Sequence, residues 1–101
     1  MPKKAKTPSK PSKPYDFKVG QNYLVWTVTH NFTGRFTGYN GHELAFVDAA
    51  WIADSGRATQ AFATGSFSEV EPMPDGVPIL IGRGAVLMAM PVTFPLPRAQ
   101  K

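Results

Sequence analysis

Hydrophobic and polar residues alternate with a period of two along several short stretches of this chain, which is typical of β-strands. The clearest stretch, residues 33–52, is predicted to form one strand, a tight turn and a second strand. Asn40-Gly41 in its middle is the dipeptide that most readily takes the two positive-φ residues of a type I′ turn. Gly34 and Gly38 allow the first strand to bend sharply or to be approached closely by another backbone. We therefore expect this hairpin to be the centre of a small β-structure.

Residues 22–30, NYLVWTVTH, are predicted to form the first strand because they are β-branched and aromatic. Both faces of this strand are largely apolar, with Leu24, Trp26 and Val28 alternating with Tyr23, Val25 and Thr27. A strand with two apolar faces is covered on two sides, either inside a barrel or at an interface.

The second half of the chain predicts a short helix and further strands. Ser55 is the candidate cap of a helix that runs to Thr64 and ends at Gly65. Strands are expected in residues 66–70, 79–81 and 85–92, around a proline-rich loop and the break Gly82-Arg83-Gly84. The predicted fold is mainly β: a small, strongly bent barrel of five to six strands with one short helix and an extended N-terminal arm.

The domain organisation follows from the charge distribution. Residues 1–18 are predicted to be a basic arm rich in proline and lysine, residues 19–97 the small β-barrel, and residues 98–101 a C-terminal tail. Residues 1–20 carry a net charge of +5, whereas residues 21–101 carry −1, so the alkaline pI of about 9.6 belongs to the arm.

The arm has two interpretations, a disordered solubilising tail or a segment that becomes ordered on a partner. In the second, its lysines contact an acidic partner surface: Lys3, Lys4, Lys6, Lys10 and Lys13. Tyr15, Phe17 and Val19 alternate with polar residues and are predicted to form a short edge segment or to anchor the arm.

Candidate catalytic chemistry is sparse, and we expect neither an enzyme nor a catalytic, cofactor or metal site. The chain has no cysteine, and its only histidines, His30 and His42, lack metal-ligand spacing. The carboxylates are scattered, and no glycine-rich run precedes a helix as in a phosphate-binding loop. The basic start is not followed by an apolar stretch, so a virion or host-cytoplasm setting is expected rather than secretion through a signal peptide.

Nucleic-acid binding is the more plausible chemistry, because aromatic side chains can stack on bases. The candidate interface or nucleic-acid contacts of this kind are Trp26, Tyr39 and Trp51. The same aromatic residues can instead serve the core. The folded body has no lysine between Lys18 and Lys101, so only the arm offers charge for contacting phosphates.

Two segments resemble the signatures of Sm-like proteins. The first is Gly34-x-Phe36-x-Gly38-Tyr39-Asn40 followed by Leu44-x-Phe46-x-Asp48-Ala49, and the second is Arg83-Gly84 followed by Val86. The resemblance implies a five-stranded bent barrel that forms rings by pairing the fourth and fifth strands of neighbouring subunits, often with RNA in the pore. The resemblance also implies that Arg83 is a candidate interface or nucleic-acid contact that stacks on a base; its alternative role is a surface or interface ion pair. The turn after Asn40 is about one residue short, and Glu43 stands where the family places a base-reading asparagine.

A second resemblance concerns residues 48–57 and 69–76, with the RG and LP segments that follow. They are similar to an uncharacterised family of small proteins encoded by tailed phages. The hypothesis favoured by the sequence is a non-enzymatic assembly module: a capsid-associated, decoration- or cement-like phage protein whose arm grips neighbouring subunits. Its partners would be other copies or a larger protein lattice, and no membrane is expected. The alternative is a ring-forming Sm-like protein that binds RNA or single-stranded DNA.

Overall fold

Six antiparallel strands form one sheet in the computed structural model, which describes residues 16–101. The strands are β1 (Asn22–Thr27), β2 (Asn31–Asn40), β3 (Glu43–Asp54), β4 (Glu69–Pro72), β5 (Ile79–Gly82) and β6 (Val86–Pro91). Helix α1 (Ala58–Thr64) lies between β3 and β4, and a 3-10 turn (Arg83–Ala85) joins β5 to β6. The strand order is β4-β3-β2-β1-β6, and β5 pairs with β3. The prediction of a mainly β fold with one short helix is confirmed, whereas the predictions for Lys3, Lys4, Lys6, Lys10 and Lys13 lie outside the described residues.

The β2–β3 hairpin forms as predicted, but its turn is displaced by one residue. Asn40 pairs with Glu43, so Gly41 and His42 form the two-residue loop. Gly41 has a φ of +64°, and Asn40 has no positive φ. The prediction of a type I′ turn centred on Asn40-Gly41 is therefore wrong, because the register pairs Asn40 with Glu43 rather than Tyr39 with His42.

The predicted bend in β2 is present at Gly38, whereas the close approach predicted for another backbone is made by a side chain at Gly34. A Cβ at Gly34 would lie 3.0 Å from the Cβ of Phe46, so another side chain approaches this backbone closely. Gly38 has a φ of +151° and lies at a register shift between β2 and β3. Such bulges bend the strands that carry them. Along β3, the first residues pair with β5 and the last residues pair with β4.

The sheet carries a hydrophobic core on each face. The first core contains Leu24, Ala50, Ile52, Ala61, Phe67, Val70, Val92 and Phe94. The second contains Tyr23, Val25, Phe36, Leu44, Phe46 and Ile81. Neighbouring residues of β1 therefore belong to opposite cores, which confirms that this strand is covered on two sides. It ends at Thr27, earlier than predicted, because the backbone N–H of Thr27 donates to the His30 carbonyl and closes an exposed turn.

Helix α1 starts later than predicted and ends where predicted. Arg57 precedes it without a side-chain cap, so Ser55 is not the cap. Gly65, with a φ of +74°, ends the helix and donates its N–H to the Ala61 carbonyl. Seven residues are too few for a helix that is stable alone, so α1 depends on the buried Ala61 that docks it on the first core.

The packed body extends beyond the predicted domain boundaries at both ends. The Phe17 ring lies 4.8 Å from that of Tyr23 and 5.3 Å from that of Phe36, centroid to centroid. At the other end, the Arg98 guanidinium donates to the Ala49 carbonyl over 2.8 Å, and Lys101 exchanges two backbone hydrogen bonds with Val70. Residues 16–18 and 98–101 are thus part of the folded structure.

Candidate functional site

Two turns meet at one end of the β2–β3 hairpin. Because Glu43 pairs with Gly82, the 3-10 turn after β5 lies beside the hairpin loop. The backbone N–H of Arg83 donates to the carbonyl of His42 over 3.1 Å. The two segments that carry the Sm-like signatures, distant in sequence, therefore converge in space.

The Arg83 guanidinium is the main charged group of the site where these two turns meet. Its guanidinium carbon lies 5.5 Å from the centroid of the Tyr39 ring and 6.0 Å from that of Phe17, within cation–π range. A guanidinium nitrogen lies 3.6 Å from a carboxylate oxygen of Asp16. Hydrogen bonding to Tyr39 and the charge of Asp16 raise the pKa of Arg83, which stays fully protonated. Half of the side chain is exposed, so this cation remains accessible to a ligand.

A cleft of about 500 Å³ adjoins Arg83. Its apolar lining comes from the barrel end and from β6, including Phe17, Tyr23, Leu44 and Met88. Asp16 and Lys18 add opposite charges at its rim. This volume is in the range of pockets that hold small planar ligands. The arrangement can stack a planar ring against Arg83 and Tyr39, while the nearby Asp16 competes for the cation.

The four residues predicted as interface or nucleic-acid contacts divide into three groups. Tyr39 and Arg83 come together at the convergent turns. Trp26 packs against Phe62 of α1, with ring centroids 5.3 Å apart, and serves the first core. Trp51 is 37% exposed and lies further along β3, away from the turns. The structure thus brings together two of the four residues.

Sequence reasoning missed three residues at this site: Asp16, Phe17 and His42. The period-two alternation around Phe17 indicated an anchor for the arm but not its place against Arg83. For His42 the sequence indicated only that it lacks metal-ligand spacing, whereas its carbonyl accepts the Arg83 N–H. Both contacts join segments far apart in the chain. The resemblance that places the two signatures together was a signal for the contact of His42 with Arg83, whereas no signal in the sequence indicated Asp16 and Phe17 at Arg83.

Asp48 lies at a register shift between β2 and β3 and forms a hydrogen bond with the proline-rich loop between β4 and β5. Among the non-glycine residues from 16 to 101, Asp48 is the one with a positive φ, +51°. One carboxylate oxygen accepts the Gly76 N–H over 3.0 Å, and the other accepts an Arg35 N–H over 2.9 Å. The hydrogen bond from Gly76, followed by that from Arg35, lowers the pKa of Asp48 below its usual value. This carboxylate has a structural role and lies outside the Arg83 cluster.

We expect Asp48→Asn to lower the Tm at neutral pH, because asparagine tolerates the left-handed backbone but removes the charge that both donors face. A carboxyl whose pKa is lowered by folding stabilises the fold above its unfolded pKa of about 3.9 and loses this contribution as the pH falls through the folded value. The Tm difference between the native chain and the variant should therefore shrink below pH ~4. Thermal melts from pH 7 to pH 2 measure this, with the exposed Glu43→Gln as control. A difference that stays constant across this range would contradict the role assigned to the charge.

Residues 16–101 contain no group of three or more histidine, cysteine, aspartate or glutamate side chains placed to hold a metal ion. In the same part of the chain, no helix is long and apolar enough to cross a membrane.

Comparison with known proteins identifies the fold. The structure is similar to the crystal structure of a heptameric archaeal Sm protein, with a TM-score of 0.52, 21% sequence identity, and coverage of 74% of this chain and 90% of that one. No protein-family model matches the chain, and no curated protein matches it. The chain therefore has an Sm-like fold, as its two signatures imply. Its relation to a phage-encoded family stays a prediction.

Proposed function

We propose that this chain is a ring-forming, non-enzymatic protein that binds single-stranded RNA or single-stranded DNA. The observation that carries this proposal is the meeting of the hairpin loop with the Arg83–Ala85 turn, which places an accessible guanidinium beside the rings of Tyr39 and Phe17. Bases stack on aromatic and guanidinium faces without regard to sequence, so this site fits a flexible single strand.

Ring formation is supported by the edges of β5 and β6. Within the described residues, β5 pairs with β3 and β6 pairs with β1, which leaves each strand a second edge. Both strands expose large apolar side chains: Leu80, Leu87 and Met88. An unpaired apolar strand edge favours pairing with another chain. Pairing β5 of one copy with β6 of the next is a head-to-tail contact, and such a contact closes into a ring when the rotation permits.

A ring of several copies and the N-terminal arm together supply the contacts and the positive charge for nucleic acid that one folded body lacks. Each body offers few charges for phosphate at its site: Arg83 and Lys18 have Asp16 beside them, and Glu43 nearby repels phosphate. Several copies in a ring hold successive nucleotides on one strand, so their weak contacts add through effective concentration. The lysine-rich arm then provides the charge that contacts the phosphates.

The experiment that tests this function is light scattering of the purified full-length chain with absorbance at 260 and 280 nm, followed by titration with fluorescent U10 RNA and dT10 DNA. We expect a mass several times the 11.0 kDa of one chain and binding that weakens steeply with salt. A monomer that binds neither oligonucleotide would overturn the proposal.

A matched pair of variants tests the ring interface. Leu80 on β5 and Val77 in the preceding loop are 47% and 46% exposed. Leu80→Lys should lower the mass towards that of one chain, because a lysine meets the apolar edge of the neighbour. Val77→Lys should leave the mass unchanged.

The capsid-associated role predicted from the sequence has its support in the arm composition and the phage resemblance. A nucleic-acid-free, low-order species in the light-scattering experiment would favour that role over the ring-forming binder. Its next test would be co-sedimentation of the full chain with a protein lattice.

A further inference from the structure

A negatively charged hydrogen-bond acceptor lies beside the stacking surface of the Arg83 site. Asp16 lines the same cleft as Phe17 and Arg83, and its side chain is 37% exposed. The 3.6 Å between its carboxylate oxygen and a guanidinium nitrogen of Arg83 is longer than a hydrogen bond, so the carboxylate keeps its lone pairs available. A planar ring that stacks on the guanidinium or on Phe17 therefore has an edge within reach of this acceptor.

The edge of a base decides which base such a site prefers. Stacking alone does not distinguish the bases, since every base has a π-face. Single strands leave the hydrogen-bonding edges of their bases open, and proteins read these edges. An ionised carboxylate only accepts hydrogen bonds, and its two oxygens match two donors that lie side by side. The preferred base is therefore the one whose open edge carries adjacent donors.

Guanine is the base with two adjacent donors on its Watson–Crick edge, the N1–H and the N2 amino group. Uracil and thymine present one N3–H between two carbonyl oxygens. Adenine and cytosine each present one amino group next to a ring nitrogen that accepts. A carboxylate therefore forms two charge-assisted hydrogen bonds with guanine, whereas it repels the carbonyl oxygens of uracil.

The other polar side chains near the cleft do not offset this selection. The Gln21 amide donates to two backbone carbonyls, over 3.1 and 3.2 Å, so its N–H groups serve the fold. Glu43, at the neighbouring turn, is a second group that only accepts hydrogen bonds. Lys18, at the rim, is a point charge on a flexible stem, which contacts phosphate without fixing the orientation of a base.

We propose that Asp16 makes the Arg83 site selective for guanine among the bases of a single strand. This selection rests on the proposed function and adds a specificity-determining residue to it. The base stacks against Arg83, Tyr39 and Phe17, and the Asp16 carboxylate accepts hydrogen bonds from its N1–H and N2 amino group. The same carboxylate disfavours uracil and thymine, so the preferred strand contains guanine.

Fluorescence anisotropy of the full chain with three labelled RNAs, (GU)5, (AU)5 and U10, tests this selection. A lithium buffer keeps the guanine-containing strand from forming quadruplexes. Guanine and adenine are both purines and stack with similar ring area, so the ratio of their two dissociation constants isolates the contribution of the edge. We expect (GU)5 to bind about ten-fold more tightly than (AU)5, a discrimination typical of one bidentate contact to a base.

Asp16→Asn and Glu43→Gln are the matched variants. Asparagine presents one donor and one acceptor in place of two acceptors, so Asp16→Asn should abolish the preference for (GU)5 over (AU)5 and strengthen the binding of U10. Glu43→Gln removes a nearby carboxylate that does not line the cleft. It should raise the affinity for all three RNAs alike, and the preference for guanine should stay.

The outcomes separate the selection for guanine from the proposed function. Equal affinities of the native chain for (GU)5 and (AU)5, tighter binding of (AU)5, or a guanine preference that persists in Asp16→Asn would overturn the selection. The RNAs still bind in each of these cases, so the proposed function stands without it. Failure of all three RNAs to bind would instead overturn the proposed function, and the selection for guanine with it.

Discussion

Gly65→Ala is expected to destabilise the folded body by about 3 kcal/mol, a large part of the stability of a domain this small. Gly65 has a φ of +74°, where an added Cβ is strained. That Cβ would also lie 2.5 to 2.9 Å from ring atoms of Phe94, which belongs to the first core. Helix α1 and the C-terminal segment would therefore be forced apart. Urea unfolding followed by tryptophan fluorescence measures the loss.

Gly76→Ala is the matched control for this prediction. Gly76 has nearly the same φ, +73°, but an added Cβ would meet nothing within 4 Å. Gly76→Ala should lower the free energy of unfolding only by the backbone strain at this φ, about 1 kcal/mol. Equal losses in the two variants would mean that the Phe94 ring moves aside at no cost and that the close packing at Gly65 is not important.

Arg83→Ala is expected to weaken binding of U10 RNA or dT10 DNA at least about ten-fold, since one stacking contact is worth about 1 to 3 kcal/mol and a ring repeats it in every subunit. Arg35→Ala is the matched control, because Arg35 is similarly exposed but pairs with Asp48 away from the convergent turns. Asp16→Asn should act in the opposite direction and strengthen binding, since it removes the carboxylate that competes for the Arg83 guanidinium.

Fluorescence anisotropy at two salt concentrations separates these effects from general charge. Light scattering of each variant confirms that the oligomer is unchanged. If Arg83→Ala and Arg35→Ala lose affinity equally, the binding is non-specific attraction to positive charge, and the site would have to be sought on the arm.

Local rules predicted the parts of the fold that depend on neighbouring residues. The alternation in residues 33–52, the glycines at 34 and 38, and the helix end at Gly65 all follow from backbone conformation and period. The displaced hairpin turn shows where such rules fail. The free energy of pairing, summed along the whole length of β2 and β3, decides the register. It exceeds the turn preference of the single dipeptide Asn40-Gly41.

Contacts between distant segments were not predictable in the same way. Arg98 reaches Ala49 and Met73, and Phe17 packs into the second core, but nothing next to these residues in sequence indicates either partner. At the candidate site, Tyr39 was predicted as an aromatic residue that can stack on a base, and Arg83 was predicted through the signature that contains it. Trp26 was not separable from Trp51 by sequence, because both lie on strands with apolar residues on the two faces.

The pairing of β1 with β6 has a consequence for synthesis. Tyr23 pairs with Pro91, so the first strand cannot complete its hydrogen bonds until almost the whole chain has left the ribosome. At about 5 to 20 residues per second, the nascent β1 waits for seconds with one edge unpaired and both apolar faces incompletely covered. The first strand therefore gains its second neighbour only when β6 has been made, and it is the segment on which a nascent-chain chaperone would act.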